Sequence, residues 1–567
     1  MTHPSRTGGQ ILVDALKIHG VDTAFGVPGE SYLDVLDALH DSGIRFIINR
    51  QEGGAAFMAD AYGKMTGQPG ICFVTRGPGA TNAAIGVHTA YQDSTPMILF
   101  IGQVGSDFLD REAFQEIDYR RMYGQMAKWV AQIDRADRIP EYLARAFQVA
   151  TSGRPGPVVL ALPEDMLTDL AAVADTGRYQ PVQASPSAPQ MATVRAMLEQ
   201  AQRPLILLGG GGWNAQACAD LQRFAENNGL PVACAFRFQD LLDNRHPHYV
   251  GDVGIGINPK LAARVRAADV ILAIGPRLGE MTTGGYDLLT APLPQQRLIH
   301  VHAHAEELGS VYQAELMIAS GMPQFAAMLA QLAPLQSAHA GAWRDSVTTA
   351  RAELAAWQQQ PPIFQDGQAP LDLWQVVQDL DRIAPHDVII TNGAGNYATW
   401  AHRFHRYGAM RTQLAPTSGA MGYSVPAGVA AKIIDPQRTV ITFAGDGEYM
   451  MNGQELATAV QYRAGVVVIV FNNGMFGTIR MHQERDYPGR VSGTELHNPD
   501  FAALAAAYGG QGEVVTETAQ FAPALERALA WANDQQLPAL IELRYDGNLI
   551  TPGATLATIR ANALAAR

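Results

Sequence analysis

Three apolar, strand-like runs in the last third of the chain end in residues able to do chemistry. Thr439–Ala444 runs into Gly445-Asp446-Gly447-Glu448, and Val466–Phe471 into Asn472-Asn473-Gly474-Met475. Asp387–Thr391 runs into Asn392-Gly-Ala-Gly395-Asn396-Tyr397. Polar oxygen donors beside glycines suit a bound cation and the anion it neutralises. Ligands of open α/β sheets gather beyond the carboxyl ends of the strands. A surface Gly-Asp-Gly turn and an unrelated Asn-Asn-Gly turn would account for either motif alone. A second cluster, Asn49-Arg50-Gln51-Glu52-Gly53-Gly54, ends another strand and opens a small-residue helix. Glu52 is placed for proton chemistry, or simply to cap the helix and complement its dipole.

The elements that must hold these residues fall into three blocks. In the first, strands at Thr23–Val27, Phe46–Asn49, Gly70–Thr75 and Met97–Gly102 alternate with helices at Ser31–His40, Gly53–Thr66 and Ala80–Gln92. Arg154-Pro-Gly-Pro-Val-Val-Leu-Ala-Leu-Pro reads as the last strand leaving this block. The alternation predicts an α/β sheet covered on both faces. Residues 1–170 form the expected first domain and 171–190 a linker without periodicity. A second α/β domain, 191–345, begins with Pro204–Leu208 and the run Gly209–Gly212, with strands at Pro231–Ala235, Val270–Ile274 and Leu298–Val301. A helical, Gln- and Pro-containing connection, 346–370, leads to a third domain, 371–550, and a tail, 551–567. Ala539-Leu-Ile-Glu-Leu reads as a final edge strand. Blocks one and three suggest a duplicated architecture without measurable sequence repetition.

Composition bounds the function. The 567 residues are 47% hydrophobic and 17% charged, enough for several buried cores and unlike a disordered chain. A formal charge of −13 argues against a nucleic-acid surface. No apolar run reaches the ~18 residues of a membrane span. Asp14 and Lys17 interrupt the first apolar stretch, so no signal-peptide core is expected. Cys72, Cys218 and Cys234 have no metal-type spacing, and a reducing cytoplasm is the simplest compartment.

The Gly445-Asp446-Gly447 and Asn472-Asn473 pair, at its spacing, resembles the fingerprint of thiamine-diphosphate-dependent enzymes. The block order resembles the acetolactate-synthase-like (acetohydroxyacid synthase) branch over about residues 10–545. The resemblance extends through Phe25-Gly-Val-Pro-Gly29-Glu30, Arg76-Gly-Pro-Gly-Ala-Thr-Asn82, Gly102-Gln103 and Phe114-Gln115-Glu116. It implies a three-domain α/β enzyme with pyrimidine-binding, central and diphosphate-binding parallel sheets. Asp446, the Asn473 amide and the Met475 carbonyl would hold Mg²⁺. Gly445, Gly447, Glu448, Gly395 and Asn396 would line the diphosphate. Gly29, Gly419 and Met421, in Thr417-Ser-Gly-Ala-Met-Gly-Tyr423, would line the rest of the cofactor. Glu52 would bond N1′ of the pyrimidine, so that the exocyclic nitrogen can take the thiazolium C2 proton.

The implied reaction joins two pyruvates into 2-acetolactate with loss of CO₂. Phe114, Gln115, Lys128 and Arg277 would contact the 2-oxo acid, Arg277 because a guanidinium pairs with carboxylates. Arg277 also suits an exterior or inter-domain salt bridge. The chain departs from the synthase pattern at Asn396-Tyr397, where glutamine and histidine are expected, and at Arg277-Leu-Gly-Glu280. It departs again at Glu30 and at Phe476–Glu484, which lacks the synthases' tryptophan-bearing segment. A 2-oxo-acid decarboxylase, an acyloin or acyl-CoA lyase, and a catalytically silent scaffold therefore stand as alternatives. Related synthases bind FAD in the central domain. Gly209–Gly212 lacks a spaced dinucleotide fingerprint, so FAD, ADP, an empty site and a tight structural turn all stay open. A homodimer or homotetramer is implied, because the family assembles its site from the pyrimidine domain of one subunit and the diphosphate domain of another; a regulatory subunit is left open. His88, His300, His302 and His304 form no convincing zinc motif and read as structural or surface residues.

Overall fold

The computed structural model describes residues 3–364, 370–408 and 410–567. Two compact units emerge. One takes Met1–Val182, Pro416–Pro436 and Asn452–Ala464; the other takes Gln183–Ala415, Gln437–Met451 and Gly465–Arg567.

The first unit is built on six strands: β1 (Thr23–Gly26), β2 (Arg45–Ile48), β3 (Gly70–Val74), β4 (Met97–Gln103), β5 (Trp129–Gln132) and β6 (Pro157–Pro163). All pairings are parallel, in the order β2-β1-β3-β4-β6-β5. Every residue of β3, β4 and β6 is buried, the mark of strands covered on both faces. Three helices carry or support candidate residues: α1 (Glu52–Thr66), α2 (Pro78–Asp93) and α3 (Ile139–Thr151). Leu170-Ala171, across the expected boundary between the first domain and the linker, pairs antiparallel with Arg6-Thr7.

Segments 416–436 and 452–464 join this unit through buried polar contacts. Lys64 on α1 lies 2.8 Å from Asp60 and 2.5 Å from Asp93 on α2. Asp93 accepts from the Thr417 amide at 2.8 Å, and Asp60 from the Tyr423 hydroxyl at 2.8 Å. The loop 417–423 and the helix Ser424–Ile434 behind it are thereby fastened to α1 and α2.

The described residues of the second unit hold two six-stranded sheets and a short two-stranded one, Leu549–Thr551 with Ala554-Thr555. The central one contains β7 (Pro204–Leu208), β8 (Val232–Cys234), β9 (Tyr249–Asp252), β10 (Val270–Ile274), β11 (Arg297–His302) and β12 (Leu316–Ala319). Its order, β9-β8-β7-β10-β11-β12, is that of a doubly wound dinucleotide fold. Period-2 alternation divides its core: Ile206, Leu208, Leu272 and Ile274 pack on one face, Leu205, Leu207, Ile271 and Ala273 on the other. Much of the expected connection at 346–370 is helical, within α4 (Ala340–Trp357); residues 365–369 of it lie outside the described residues.

The last sheet contains β13 (Ile389–Asn392), β14 (Gln413–Leu414), β15 (Val440–Gly445), β16 (Val467–Asn472), β17 (Gln511–Val515) and β18 (Ala539–Arg544). Its parallel order, β14-β13-β15-β16-β18-β17, repeats that of the first sheet strand for strand. The expectation of an edge strand at 539–543 is corrected: β18 lies inside the sheet and β17 forms the edge. β17, Gln-Gly-Glu-Val-Val, is fully buried only at Val515, so it lacks the apolar run that marks the inner strands. Three helices of this unit matter below: α5 (Asp446–Asn452), α6 (Gly477–Asp486) and, within the expected tail, α7 (Leu556–Ala565).

Candidate active site

A parallel sheet that reverses its winding opens a crevice between the two strands where the reversal occurs. In the last sheet these are β13 and β15. Their carboxyl ends carry Asn392-Gly-Ala-Gly395-Asn396 and Gly445-Asp446-Gly447, so the topology selects two of the loops picked out by residue chemistry. β16, beside β15, adds Asn472-Asn473-Gly474-Met475.

Asp446 opens α5. Its Oδ1 accepts from the Gly447 amide at 2.9 Å; Oδ2 accepts from the Gly474 amide at 2.9 Å and Asn498 Nδ2 at 2.8 Å. Burial pushes its pKa above the ordinary carboxylate value, against the pull of these hydrogen bonds. Asn498 Nδ2 also donates to Asn472 Oδ1 at 2.9 Å, tying the two loops together. Asn473 Oδ1 accepts from the Met475 amide at 3.3 Å. Gly474 has φ +69°, a left-handed turn that lets the chain double back here. A carboxylate, an amide oxygen and main-chain carbonyls are the hard donors Mg²⁺ takes, so this donor set fits the ion and a diphosphate it would bridge.

Tyr397, where the synthase pattern expects a polar residue, turns inward. Its hydroxyl donates to Glu448 and accepts from the Gly393 amide at 3.0 Å. Its ring fills the space beside Gly445, where a side-chain carbon would come within 2.9 Å of it. Glu448 is thus buried against Tyr397. Asn396 bonds to Thr478 of α6, its amide donating at 3.1 Å and its Oδ1 accepting at 3.0 Å.

In the first unit the winding reverses between β1 and β3. Gly29 follows β1 and packs on Thr75 after β3, where a side-chain carbon would be 2.6 Å from Thr75 Cβ. Glu52 is the first residue of α1, and Asn82 Nδ2 on α2 donates to its Oε2 at 2.9 Å. Arg76, buried, bridges Glu30 at 3.0 Å and Glu164 at 3.3 Å and donates to the Phe114 carbonyl at 3.2 Å. It holds the loop that presents Phe114, a residue 73% exposed, and Gln115. Gly419 lies in the loop held by Asp93, with no described atom beyond its chain neighbours within 4 Å of where a side chain would begin; Met421, two residues on, is half-buried.

Two expected substrate contacts have partners within their own units. Lys128 Nζ donates to the carbonyls of Val149, Ser152 and Arg154 at the end of α3, with burial lowering its pKa to about 8. That is a helix-end anchor. Arg277 Nε donates to Glu307 at 3.3 Å, within the second unit, as in the salt-bridge reading. The Gly209–Gly212 run sits at the central sheet's own reversal point, between β7 and β10, where it packs as a turn. A side-chain carbon on Gly210 would lie 2.1 Å from the Gly275 carbonyl, and Trp213 Nε1 donates to the Gly209 carbonyl at 2.9 Å. These contacts of Gly209 and Gly210 fit the tight-turn reading. His300 Nε2 bonds the Pro276 carbonyl at 2.9 Å, and His302 Nδ1 accepts from the His304 amide at 3.1 Å.

Asn82 and Asn498 were not singled out for these roles by the sequence. Asn82 stands within a quoted motif, but nothing there tells which acid it meets. Asn498, in Leu496-His-Asn-Pro-Asp500, follows no strand and carries no spacing signal.

Sequence comparison agrees with this geometry domain by domain. Residues 6–122 match the N-terminal TPP binding domain of thiamine pyrophosphate enzymes, residues 191–329 the central domain, and residues 393–543 the C-terminal TPP binding domain. An acetolactate synthase large subunit of Parasynechococcus marenigrum (strain WH8102) is 33% identical over 95% of this chain and 87% of its own length. The isozyme 2 large subunit of Escherichia coli (strain K12) is 31% identical, covering 97% of this chain and 98% of that protein. A probable acetolactate synthase large subunit of Methanocaldococcus jannaschii is also 31% identical, covering 97% and 95%. The chain therefore belongs to the thiamine-pyrophosphate-dependent enzymes, in their acetolactate synthase family. No described helix is long and apolar enough to cross a membrane.

Proposed function

We propose that this enzyme condenses two pyruvates, with uptake of a proton, into 2-acetolactate and CO₂. The observation that carries the reading is the donor set of Asp446, at the sheet's reversal point, and Asn473 and Met475, after the adjacent strand β16, in a chain that also opens α1 with Glu52. When bound, thiamine diphosphate supplies the thiazolium carbon that adds to a carbonyl and accepts the electrons released on decarboxylation. Asp446 and Asn473 would hold Mg²⁺ by their side chains and Met475 by its carbonyl, neutralising the diphosphate. Gly395, Asn396 and Gly447 would line the diphosphate, the glycines letting the main chain approach it closely. Glu52, oriented by Asn82, would hold the proton at N1′ of the pyrimidine. Gly29, Gly419 and Met421 would leave room for the cofactor and support it. Phe114 and Gln115, on the loop held by Arg76, would meet the 2-oxo acid.

The assembly proposed is a homodimer or homotetramer. Because the relatives are named large subunits, a smaller regulatory partner is proposed as well. The cytoplasm is the proposed compartment, in keeping with the free thiols Cys72, Cys218 and Cys234. FAD, ADP and an empty central domain all stay open in this proposal, and the purified protein's visible spectrum reports any flavin directly.

The test is incubation with thiamine diphosphate, Mg²⁺ and pyruvate, with and without FAD, and mass spectrometry of the products. Acetolactate supports the proposal. Acetaldehyde alone makes the enzyme a decarboxylase, and unchanged pyruvate removes it as donor.

A further inference from the structure

Glu455 is fully buried in the first unit, and four donors converge on its carboxylate. Oε1 accepts from the main-chain amides of Arg50 at 3.0 Å and Gln51 at 3.1 Å. Oε2 accepts from Asn49 Nδ2 at 3.1 Å and Thr458 Oγ1 at 2.6 Å. Asn49 to Gln51 are the connection between the end of β2 and Glu52. The amides of Arg50 and Gln51 precede α1 and follow β2, so neither element supplies them an acceptor, and unmet amides at such a place are costly. The far side of the connection is pinned to β1: the Asn49 amide donates to the Gly26 carbonyl at 2.9 Å, and the Gly26 amide to Asn49 Oδ1 at 3.2 Å.

A second observation points the same way. A side-chain carbon on Gly54 would lie 2.8 Å from Glu455 Oε1. Gly54 stands in the first turn of α1, two residues beyond Glu52, and its amide is taken by Gln51 Oε1 at 3.0 Å. The lack of a side chain at 54 is what lets the acid reach the connection. A buried carboxylate is expensive, and burial does push the Glu455 pKa up. An apolar residue would fill the space without that cost, but would leave the two amides and Asn49 without an acceptor.

We infer that Glu455 is a positioning residue for the cofactor-activating step: its carboxylate clamps residues 49–51 and thereby sets where the Glu52 carboxylate stands. The inference rests on the reading of Glu52 as the group that meets the cofactor pyrimidine. Glu455 itself touches no reacting atom. Its effect passes through the connection, where a displacement of about 1 Å is enough to slow an enzyme about 100-fold.

The test uses the full-length enzyme and two readouts. Hydrogen–deuterium exchange of the cofactor-free chain follows the Arg50 and Gln51 amides. Quenched-flow proton NMR follows exchange of the C2 proton of bound thiamine diphosphate, which needs no substrate. Glu455→Ala is expected to speed amide exchange over 49–54 and to slow C2 exchange about tenfold or more. Glu455→Gln keeps an oxygen for the two amides but turns a donor toward Asn49, so intermediate effects are expected on both readouts. Gly54→Ala, which pushes the acid away while leaving it in place, should follow Glu455→Ala. Faster amide exchange with wild-type C2 exchange would make Glu455 a merely structural residue and overturn the inference, as would no change in either readout. If the alanine variant does not fold, wild-type C2 exchange in the folded glutamine variant overturns it equally. Failure of the underlying reading looks different: the wild-type enzyme would then not accelerate C2 exchange, or Glu52→Gln would leave that exchange unchanged.

Discussion

Glu52 has one described side-chain partner bond, from Asn82, and that economy suits a group expected to share a proton. Glu52→Gln keeps the shape and the bond from Asn82 but cannot hold the proton in the same way. It should lower kcat by about 10²- to 10⁴-fold while binding thiamine diphosphate and Mg²⁺ nearly as wild type, as read by steady-state assay beside calorimetric titration. Asp446→Asn should do the reverse: cofactor affinity falls first, and added Mg²⁺ restores part of the rate. Both residues were legible in the sequence because their motifs occur together, after apolar strands and at the spacing of the thiamine-diphosphate fingerprint; either motif alone has ordinary uses in turns and helix caps. Asn82, Asn498 and Glu455 were less legible. Each acts by reaching a residue distant in sequence, and such pairings are fixed by the fold rather than by spacing. Lys128 shows the converse. A lysine suits a carboxylate substrate by type, yet its ammonium is taken up by three carbonyls at the end of α3.

Two contacts decide stability at the scale of elements. The half-buried Lys64 sits between the buried Asp60 and Asp93 and joins α1, α2 and the loop of Gly419 and Met421. Lys64→Met leaves two buried acids without their cation and should destabilise the first unit by about 3–5 kcal/mol in urea unfolding, with Asp60→Asn and Asp93→Asn added together recovering part of the loss. In the second unit, α7 is pinned to α6 by Arg560, 2.6 Å from Glu484, with Arg480 at 2.8 Å. These partners hold the Glu484 pKa at about 2, below its ordinary 4.5. A depressed acid stabilises the fold above its ordinary value and loses that contribution as pH falls toward the folded value. The stability advantage of wild type over Arg560→Ala should therefore be full above pH 4.5 and shrink between about pH 4.5 and 2, as followed by thermal melts across that range. The inner strands were legible because burial on both faces makes them continuous apolar runs; β17 and α7 were not, since one is a half-covered edge and the other carries little amphipathic pattern.

At the scale of the molecule, the first and last sheets share one strand order, and each has candidate residues at the same reversal point, Gly29 in the first and Gly395, Asn396 and Asp446 in the last, while Glu52 follows the edge strand β2. That repetition is visible in topology and faint in sequence, because parallel strands need only to be apolar and no particular residues recur. The two halves carry different chemistry: Glu52 belongs to the first unit and Asp446 to the second. The family resemblance implies that a working site takes Glu52 from one subunit and Asp446 from its partner. Mixing variants tests this. In Glu52→Gln co-assembled with Asp446→Asn, a site drawn from a single chain always contains one defective residue, so the mixture stays inactive. A site shared between chains gives every heterodimer one intact and one doubly defective centre. With random pairing half the dimers are mixed, so about a quarter of wild-type activity should return. Differently tagged chains, co-expressed and separated by tandem affinity, would concentrate the heterodimer and raise that fraction to about half; inactivity of the purified heterodimer would place Glu52 and Asp446 of each site on one chain.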